Sequence, residues 1–138
     1  MQRHKFEENH VTMKQLLPKL DLRYGPFDFD LKTIEANVEG NRKGNFVLGY
    51  VKQPTGGFVA KYVGRSDTDV KEELLFNLPK SSTRQKFKFD YAQTEKEGFD
   101  KECKNYHDFR KQLENERHPG RPKDKNYPCP VQGCIELS

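Results

Sequence analysis

Three stretches of the chain carry the residue pattern of β-strands. Residues 46–51 and 58–63 are runs rich in β-branched and aromatic residues, and the segment between them contains Pro54 and two adjacent glycines. Because proline and glycine favour a chain reversal, the two runs predict an antiparallel hairpin. Residues 86–91 alternate basic or acidic residues with aromatic ones, which predicts a third, half-buried strand with a basic outer face.

Three helices are predicted around these strands. Residues 30–40 begin with an Asp cap, carry apolar residues at helical spacing and end on a glycine. After the hairpin, Ser66 and Asp67 can cap a second helix whose apolar residues face inwards. A capping-box pattern at Thr94 begins a long third helix, and its stripe of apolar residues predicts that it reaches about Glu116.

The chain divides by composition into three parts. Residues 1–40 form an N-terminal extension with the short helix, residues 41–116 hold the strands and later helices, and residues 117–138 form a basic, Pro-rich tail with two cysteines. The tail has too few apolar residues to pack by itself. We therefore predict one small α/β (α+β) domain, an antiparallel hairpin plus a third strand flanked by helices, with the tail docked on it.

Composition and charge agree with one small domain. A chain of 138 residues is the size of a single domain, and with 33% hydrophobic and 33% charged residues its core must be small. The net charge of +4 favours an encounter with polyanions without requiring it. The N-terminus is polar and no apolar run approaches the roughly 20 residues of a membrane helix. We therefore expect a cytoplasmic protein without a membrane partner.

Short motifs along the predicted hairpin and long helix match one nuclease family. The chain has GNF at residues 44–46, KYVGRSD at residues 61–67 and KEC at residues 101–103. Together with the order hairpin, helix, strand and long helix over roughly residues 44–109, these motifs resemble the GIY-YIG nuclease family. The resemblance implies the small α/β fold of that family and cleavage of phosphodiester bonds with a divalent cation, Mg²⁺ or Mn²⁺.

The resemblance also implies which residues act in the site, and two of them are replaced. Tyr62 matches the tyrosine of the family's second tripeptide, and Glu102 matches its metal-binding glutamate. Phe46 occupies the position of the first tyrosine and lacks the hydroxyl that takes part in proton transfer. Glu73 stands where the family has an arginine, so an anion replaces a cation. Arg65 is the candidate for a substitute cation.

These replacements remove chemistry that cleavage needs. Loss of a positioned proton-transfer group costs about 10²–10⁴-fold in rate, and loss of a donor that stabilises developing charge costs about 10²–10³-fold. We therefore expect DNA binding with cleavage weak or lost. One alternative is an active, divalent-metal-dependent DNA endonuclease in which Arg65 or another group replaces the missing pair. Another is an interaction or inhibitor protein that reuses the nuclease fold to bind a protein partner.

Basic residues around the hairpin and on the third strand predict a nucleic-acid-binding surface. Its members are Arg42, Lys43, Lys61, Arg65, Arg84, Lys86 and Lys88. Such residues can follow a phosphate backbone, with affinity that falls as salt rises. The alternative is an ordinary solvated surface.

Cysteine and histidine positions predict a second metal site, separate from a magnesium ion at Glu102. Cys103 and His107 are four residues apart on one face of the long helix, and Cys129 and Cys134 form a close pair in the tail. A Cys₃His set is a known composition of structural zinc sites, and zinc would dock the tail on the helix. His118 is an alternative ligand to His107. The other interpretation has Cys103 buried as a small apolar residue, His107 exposed, and the two tail cysteines free or oxidised.

Overall fold

The fold is built on one antiparallel sheet. The computed structural model describes residues 19–136, so residues 1–18 of the predicted extension and residues 137–138 of the predicted tail lie outside the described part. The sheet consists of four strands: β1 (Tyr24–Asp28), β2 (Gly44–Lys52), β3 (Gly57–Ser66) and β4 (Lys86–Tyr91). Their spatial order is β1-β4-β2-β3, and all neighbours are antiparallel.

The predicted hairpin and third strand are confirmed. β2 and β3 pair over their whole length, with Val47 opposite Val63, and β4 pairs with the other side of β2. A register shift between Leu48 and Gly49 marks a bulge in the hairpin. The central position of β2 means that its side chains pack on both faces of the sheet.

The first strand is a correction to the predicted three-stranded sheet. Its sequence, YGPFD, contains Gly25 and Pro26, which interrupt the alternation by which strands are recognised. Proline lacks an amide hydrogen and is tolerated at the edge of a sheet, which is where β1 lies beside β4. The register shifts between Tyr24 and Phe27, around these two residues. Part of the predicted N-terminal extension therefore completes the sheet.

Three helices flank the sheet, and each begins at a side-chain cap. They are α1 (Leu31–Asn37), α2 (Val70–Phe76) and α3 (Glu95–Phe109). The caps of α1 and α3 are the predicted Asp30 and Thr94. The cap of α2 is Asp69, whose carboxylate accepts from the amide of Glu72 at 3.0 Å, and not the predicted Ser66 or Asp67. Within residues 19–136, no helix combines the length and the apolar character that crossing a membrane requires.

Two apolar clusters hold the helices against opposite faces of the sheet, because side chains alternate along each strand. The larger cluster joins the sheet to α1 and α2: Phe29, Ile34, Val38, Phe46, Leu48, Val70, Leu74, Phe87 and Phe89. The smaller cluster joins the other face to α3: Leu22, Val47, Ala60, Val63 and Tyr106. Burial of these aromatic and branched side chains is the main source of stability.

The segment after α3 covers the outer edge of β3. The amide of Glu114 donates to the carbonyl of Lys61 at 2.6 Å, and the Asn115 side chain both donates to and accepts from the backbone of Val63, each at 2.9 Å. An uncovered edge strand would offer a template for pairing with another chain. The helix predicted to reach about residue 116 therefore ends at Phe109, and the following residues pair with the sheet edge instead.

Candidate metal centre and adjoining cleft

Four potential metal ligands meet where the tail lies against α3. They are His107 on α3 and His118, Cys129 and Cys134 on the segment that follows it. One ligand atom from each residue lies within 4.8 Å of every other. We call these four residues the His/Cys cluster.

The spacing inside the His/Cys cluster matches tetrahedral zinc. The Nε2 atoms of His107 and His118 are 3.2 Å apart, Cys129 Sγ is 3.6 Å from His107 Nε2, and Cys134 Sγ is 3.5 Å from His118 Nε2. Zinc binds nitrogen at about 2.0–2.1 Å and sulfur at about 2.3 Å. In a tetrahedral site, two ligand nitrogens are then about 3.3 Å apart, and a nitrogen and a sulfur are about 3.6 Å apart. The two histidines and two cysteines can therefore hold a metal such as zinc.

The hydrogen bonding of His118 and the pKa of His107 both favour metal binding. His118 Nδ1 lies 2.9 Å from the carbonyl oxygen of Pro119, and a carbonyl can only accept, so Nδ1 carries the hydrogen. The lone pair of His118 Nε2 is then directed at the cluster. Burial lowers the pKa of His107, and the neighbouring His118 lowers it further, which favours the neutral imidazole that binds metals.

Cys103 lies outside the cluster, which corrects the predicted Cys₃His set. Its side chain is 0% exposed, and its thiol is a neighbour of Cys129. Burial raises the pKa of the Cys103 thiol strongly, with the neighbouring Cys129 adding to the effect. His118, the predicted alternative to His107, lies in the same group as His107, so the residues that cluster form a Cys₂His₂ set.

A cleft of about 550 Å³ adjoins the His/Cys cluster. It is lined by Tyr62, Arg84 and Glu102. It is also lined by the segment of residues 114–120, which we call the cleft wall. His118 belongs both to this wall and to the cluster, so the two features share a residue.

Tyr62 and Glu102, the two retained positions of the resemblance, both line this cleft. Burial raises the pKa of Tyr62, and the carboxylate of Glu102 raises it further, while Arg84 opposes the shift. The guanidinium of Arg84 lies over the Tyr62 ring, 4.4 Å from its centroid. The Tyr62 hydroxyl therefore keeps its proton at neutral pH and can donate a hydrogen bond.

Arg65 forms an ion pair with Glu102 beneath the cleft. It lies on β3 and not in a turn, and its Nη1 donates to Glu102 Oε1 at 2.7 Å while its Nε donates to Asp67 Oδ1 at 2.7 Å. Burial raises the pKa of Glu102 to about 7, although Arg65 acts in the opposite direction. The charge of Arg65 is thus balanced by two carboxylates, so it does not provide the free substitute cation that the sequence predicted.

Phe46 and Glu73, the two replaced positions, lie in different surroundings. Phe46 is 1% exposed and belongs to the core, with its ring centroid 6.3 Å from that of Tyr62. Glu73 is partly exposed, and burial raises the pKa of its carboxylate, with Glu72 adding to the shift. The charge of Glu73 raises the pKa of both Tyr62 and Glu102, so it acts on the same site.

Most of the predicted nucleic-acid-binding residues are paired with carboxylates or stacked on rings. The ion pairs are Arg42 with Glu39, Arg65 with Asp67 and Glu102, Arg84 with Glu114, and Lys86 with Asp28. Arg42 also stacks on Tyr91, 3.6 Å from the ring centroid. Among residues 19–136, Lys43, Lys61 and Lys88 make no ion pair. Arg84 is the member of the set that faces the cleft.

Sequence reasoning missed the cleft wall because no periodic pattern marks it. Residues 114–120 have neither helical nor strand spacing, and their placement depends on contacts with β3 and with the His/Cys cluster. The histidine at position 118 was the available signal. Comparison of the chain with protein-family models, with curated proteins and with solved structures finds no match.

Proposed function

We propose that this protein is a GIY-YIG-like domain that binds DNA at the cleft and cleaves it weakly or not at all. The observation that carries the proposal is the convergence of Tyr62, Glu102 and the charge of Glu73 on one cleft, beside a hairpin that holds Phe46. These four residues occupy the positions that the resemblance assigns to catalytic residues of that family, with Tyr62 and Glu102 retained and Phe46 and Glu73 replaced. The central β2 with β3 and β4 on either side is compatible with the resemblance.

Weak cleavage follows from the surroundings of Glu102. This residue is 9% exposed and its Oε1 accepts from Arg65, so a divalent cation would have to compete with a guanidinium for a buried oxygen. Magnesium also retains several waters, which need space around it. Phe46 has no proton to transfer, and the carboxylate of Glu73 would repel a scissile phosphate. Each loss of a positioned group reduces the rate by about 10²-fold or more, although the effects of neighbouring groups do not simply multiply.

The second candidate is an active metal-dependent endonuclease, and the position of Arg84 favours it. Arg84 supplies a cation beside Tyr62 and Glu102, although Glu114 binds it at 2.8 Å. If a phosphate displaced Glu114, Arg84 would take the role that the family gives to its helix arginine. In this reading Tyr62 orients the attacking water and Glu102 binds Mg²⁺ or Mn²⁺.

We also propose that zinc is the metal of the His/Cys cluster and that its role is structural. A Cys₂His₂ set uses all four positions of tetrahedral zinc and leaves none for a reacting water. The tail has little apolar area of its own: Tyr127 meets Phe99 at 6.4 Å between ring centroids, and Glu136 pairs with Arg110 at 3.2 Å. Bound zinc would connect α3 to both ends of the tail.

The test is an assay of DNA binding and nicking with the full-length chain. Binding of a labelled duplex is followed by fluorescence anisotropy at two salt concentrations, and nicking of supercoiled plasmid is followed for hours with Mg²⁺ or Mn²⁺. The proposal predicts salt-sensitive binding that Arg84→Ala weakens, and little or no nicking. Lys52→Ala is the control for lost charge, because Lys52 is exposed at the far end of the hairpin.

Three other outcomes separate the alternatives. Nicking that Glu102→Ala abolishes and Glu95→Ala preserves would establish the active endonuclease, since Glu95 is a half-buried carboxylate in the first turn of the same helix and does not line the cleft. Nicking that appears only in the Phe46→Tyr, Glu73→Arg double variant would show a site that has lost its activity. Absence of DNA binding at low salt would rule out the proposal and leave a protein-binding role.

A further inference from the structure

The cleft wall is attached to the rest of the domain at its two ends. At the first end, Glu114 and Asn115 bond to the backbone of β3. At the other end, His118 packs against Tyr106 and His107, with ring centroids 5.4 Å and 5.2 Å apart. Among the described residues, no hydrogen bond joins the backbone of residues 116–120 to the sheet or to a helix. The position of this part of the wall therefore depends on His118 and on the neighbouring Pro119, which is buried.

The contacts of His118 are weak when no metal is bound. Its Nε2 lies 3.2 Å from His107 Nε2 and 3.5 Å from Cys134 Sγ. A neutral imidazole whose hydrogen is on Nδ1 has only an acceptor at Nε2, so it can receive one hydrogen from this group. A metal ion would instead bind all four residues of the His/Cys cluster at once and fix His118 against α3.

We propose that zinc in the His/Cys cluster positions the cleft wall, so that occupancy of the metal site sets the affinity of the cleft for DNA. The part of this inference that concerns DNA rests on the function proposed above. His118 acts here as a positioning residue, because it connects the metal to Arg117 and Pro119 on the wall. Arg117 and Arg84 both line the cleft, so the position of the wall sets where the Arg117 guanidinium lies in it.

The coupling between zinc binding and DNA binding must be reciprocal. If zinc raises the affinity for DNA, DNA must raise the affinity for zinc by the same factor. Couplings between two sites in proteins are typically about 5-fold to 150-fold. We expect a factor within this range in both directions.

The experiment compares zinc-loaded full-length protein with the same protein after chelation and dialysis. Zinc content is measured by mass spectrometry of the metal, the mobility of the wall by hydrogen exchange at residues 116–120, and affinity by anisotropy of a labelled duplex. Metal-free protein is expected to exchange faster at residues 116–120 and to bind the duplex at least about 5-fold more weakly. Added zinc should restore both, and the duplex should slow the transfer of zinc to a competing chelator.

Two cysteine variants distinguish the effect of losing a metal ligand from the effect of losing any thiol. Cys134→Ser removes a ligand and should behave as the metal-free protein, whereas Cys103→Ala keeps all four ligands and should behave as the zinc-loaded wild type. Equal exchange at residues 116–120 and equal affinity with and without zinc would overturn the inference. Failure of both forms to bind DNA would instead overturn the proposed function, and hydrogen exchange alone would then decide whether zinc positions the wall.

Discussion

Glu102 is a carboxylate that the fold removes from water and then balances with a guanidinium. Burial disfavours its charged form, and Arg65 at 2.7 Å favours it. The first effect is larger, since the pKa of Glu102 is raised to about 7. A group of this kind changes charge near neutral pH, which is unusual for a carboxylate on a helix and makes the stability of the domain depend on pH.

The pH dependence gives a prediction for Glu102→Gln. The folded pKa of about 7 exceeds the ordinary value of 4.5, so Glu102 stabilises the fold most below pH 4.5 and loses this contribution as the pH rises through 7. Glutamine stays neutral and can still accept from Arg65. The free energy of unfolding of the wild type should therefore fall by about 3 kcal/mol relative to the variant across this window. Urea unfolding at constant zinc concentration measures it, and two parallel pH profiles would contradict it.

At the scale of elements, the hairpin depends on the absence of a side chain at position 64. A Cβ atom on Gly64 would lie 2.3 Å from Cζ of Phe46, on the opposite strand. The Phe46 ring thus lies over the backbone of β3 and reaches the ring of Tyr62. Because Gly64 has no side chain, the Phe46 ring can lie over the backbone of β3 while β2 and β3 remain paired.

We therefore expect Gly64→Ala to destabilise the domain. The Phe46 ring is held by the core and cannot move without disturbing it, so the cost should be about 1–3 kcal/mol. Gly57→Ala is the matched control on the same strand, because its nearest neighbour would be Thr55 Oγ1 at 3.9 Å, and it should change stability by no more than about 0.5 kcal/mol. Urea unfolding of the two variants tests the prediction. An equal loss for both would mean that the clash with Phe46 is relieved cheaply.

At the scale of the whole molecule, the sheet with its helices is stabilised by apolar cores, and the tail is held by a small number of contacts. The sheet and helices enclose two apolar clusters, whereas residues 117–136 contain neither helix nor strand. The few contacts of this segment with the domain include the ring pair of Tyr127 with Phe99 and the ion pair of Glu136 with Arg110. Local stability should follow this division, with the tail opening at a lower free energy than the sheet.

Limited proteolysis tests this division. Trypsin should cut zinc-loaded protein slowly after Lys123 and Lys125, because each cleavage needs the segment to open. Removal of zinc should speed these cuts while the fragment that contains the sheet persists. Mass spectrometry of the fragments identifies the sites, and Cys103→Ala should follow the wild type. Simultaneous loss of tail and sheet after chelation would show instead that zinc stabilises the whole domain.

Local sequence patterns determined the regular elements of this protein. The hairpin, the third predicted strand and the starts of α1 and α3 followed from side-chain alternation, helical spacing and capping at Asp30 and Thr94, which act between residues close in the chain. The same local reasoning missed β1, where Gly25 and Pro26 hide the alternation. It also extended α3 too far, because pairing of Glu114 and Asn115 with β3 depends on residues about 52 positions away.

The composition of the sites could be predicted in part, and their geometry could not. The tail cysteines with a histidine on the long helix were recognisable as ligands, but only the packing of the tail selected His118 and left Cys103 behind Cys129. The convergence of Tyr62 and Glu102 was expected, whereas the ion pair of Glu102 with Arg65 was not. Sequence alone determined which residues can ligate, donate or carry charge. Tertiary structure decided which of them meet, because distances between residues far apart in the chain are set by core packing.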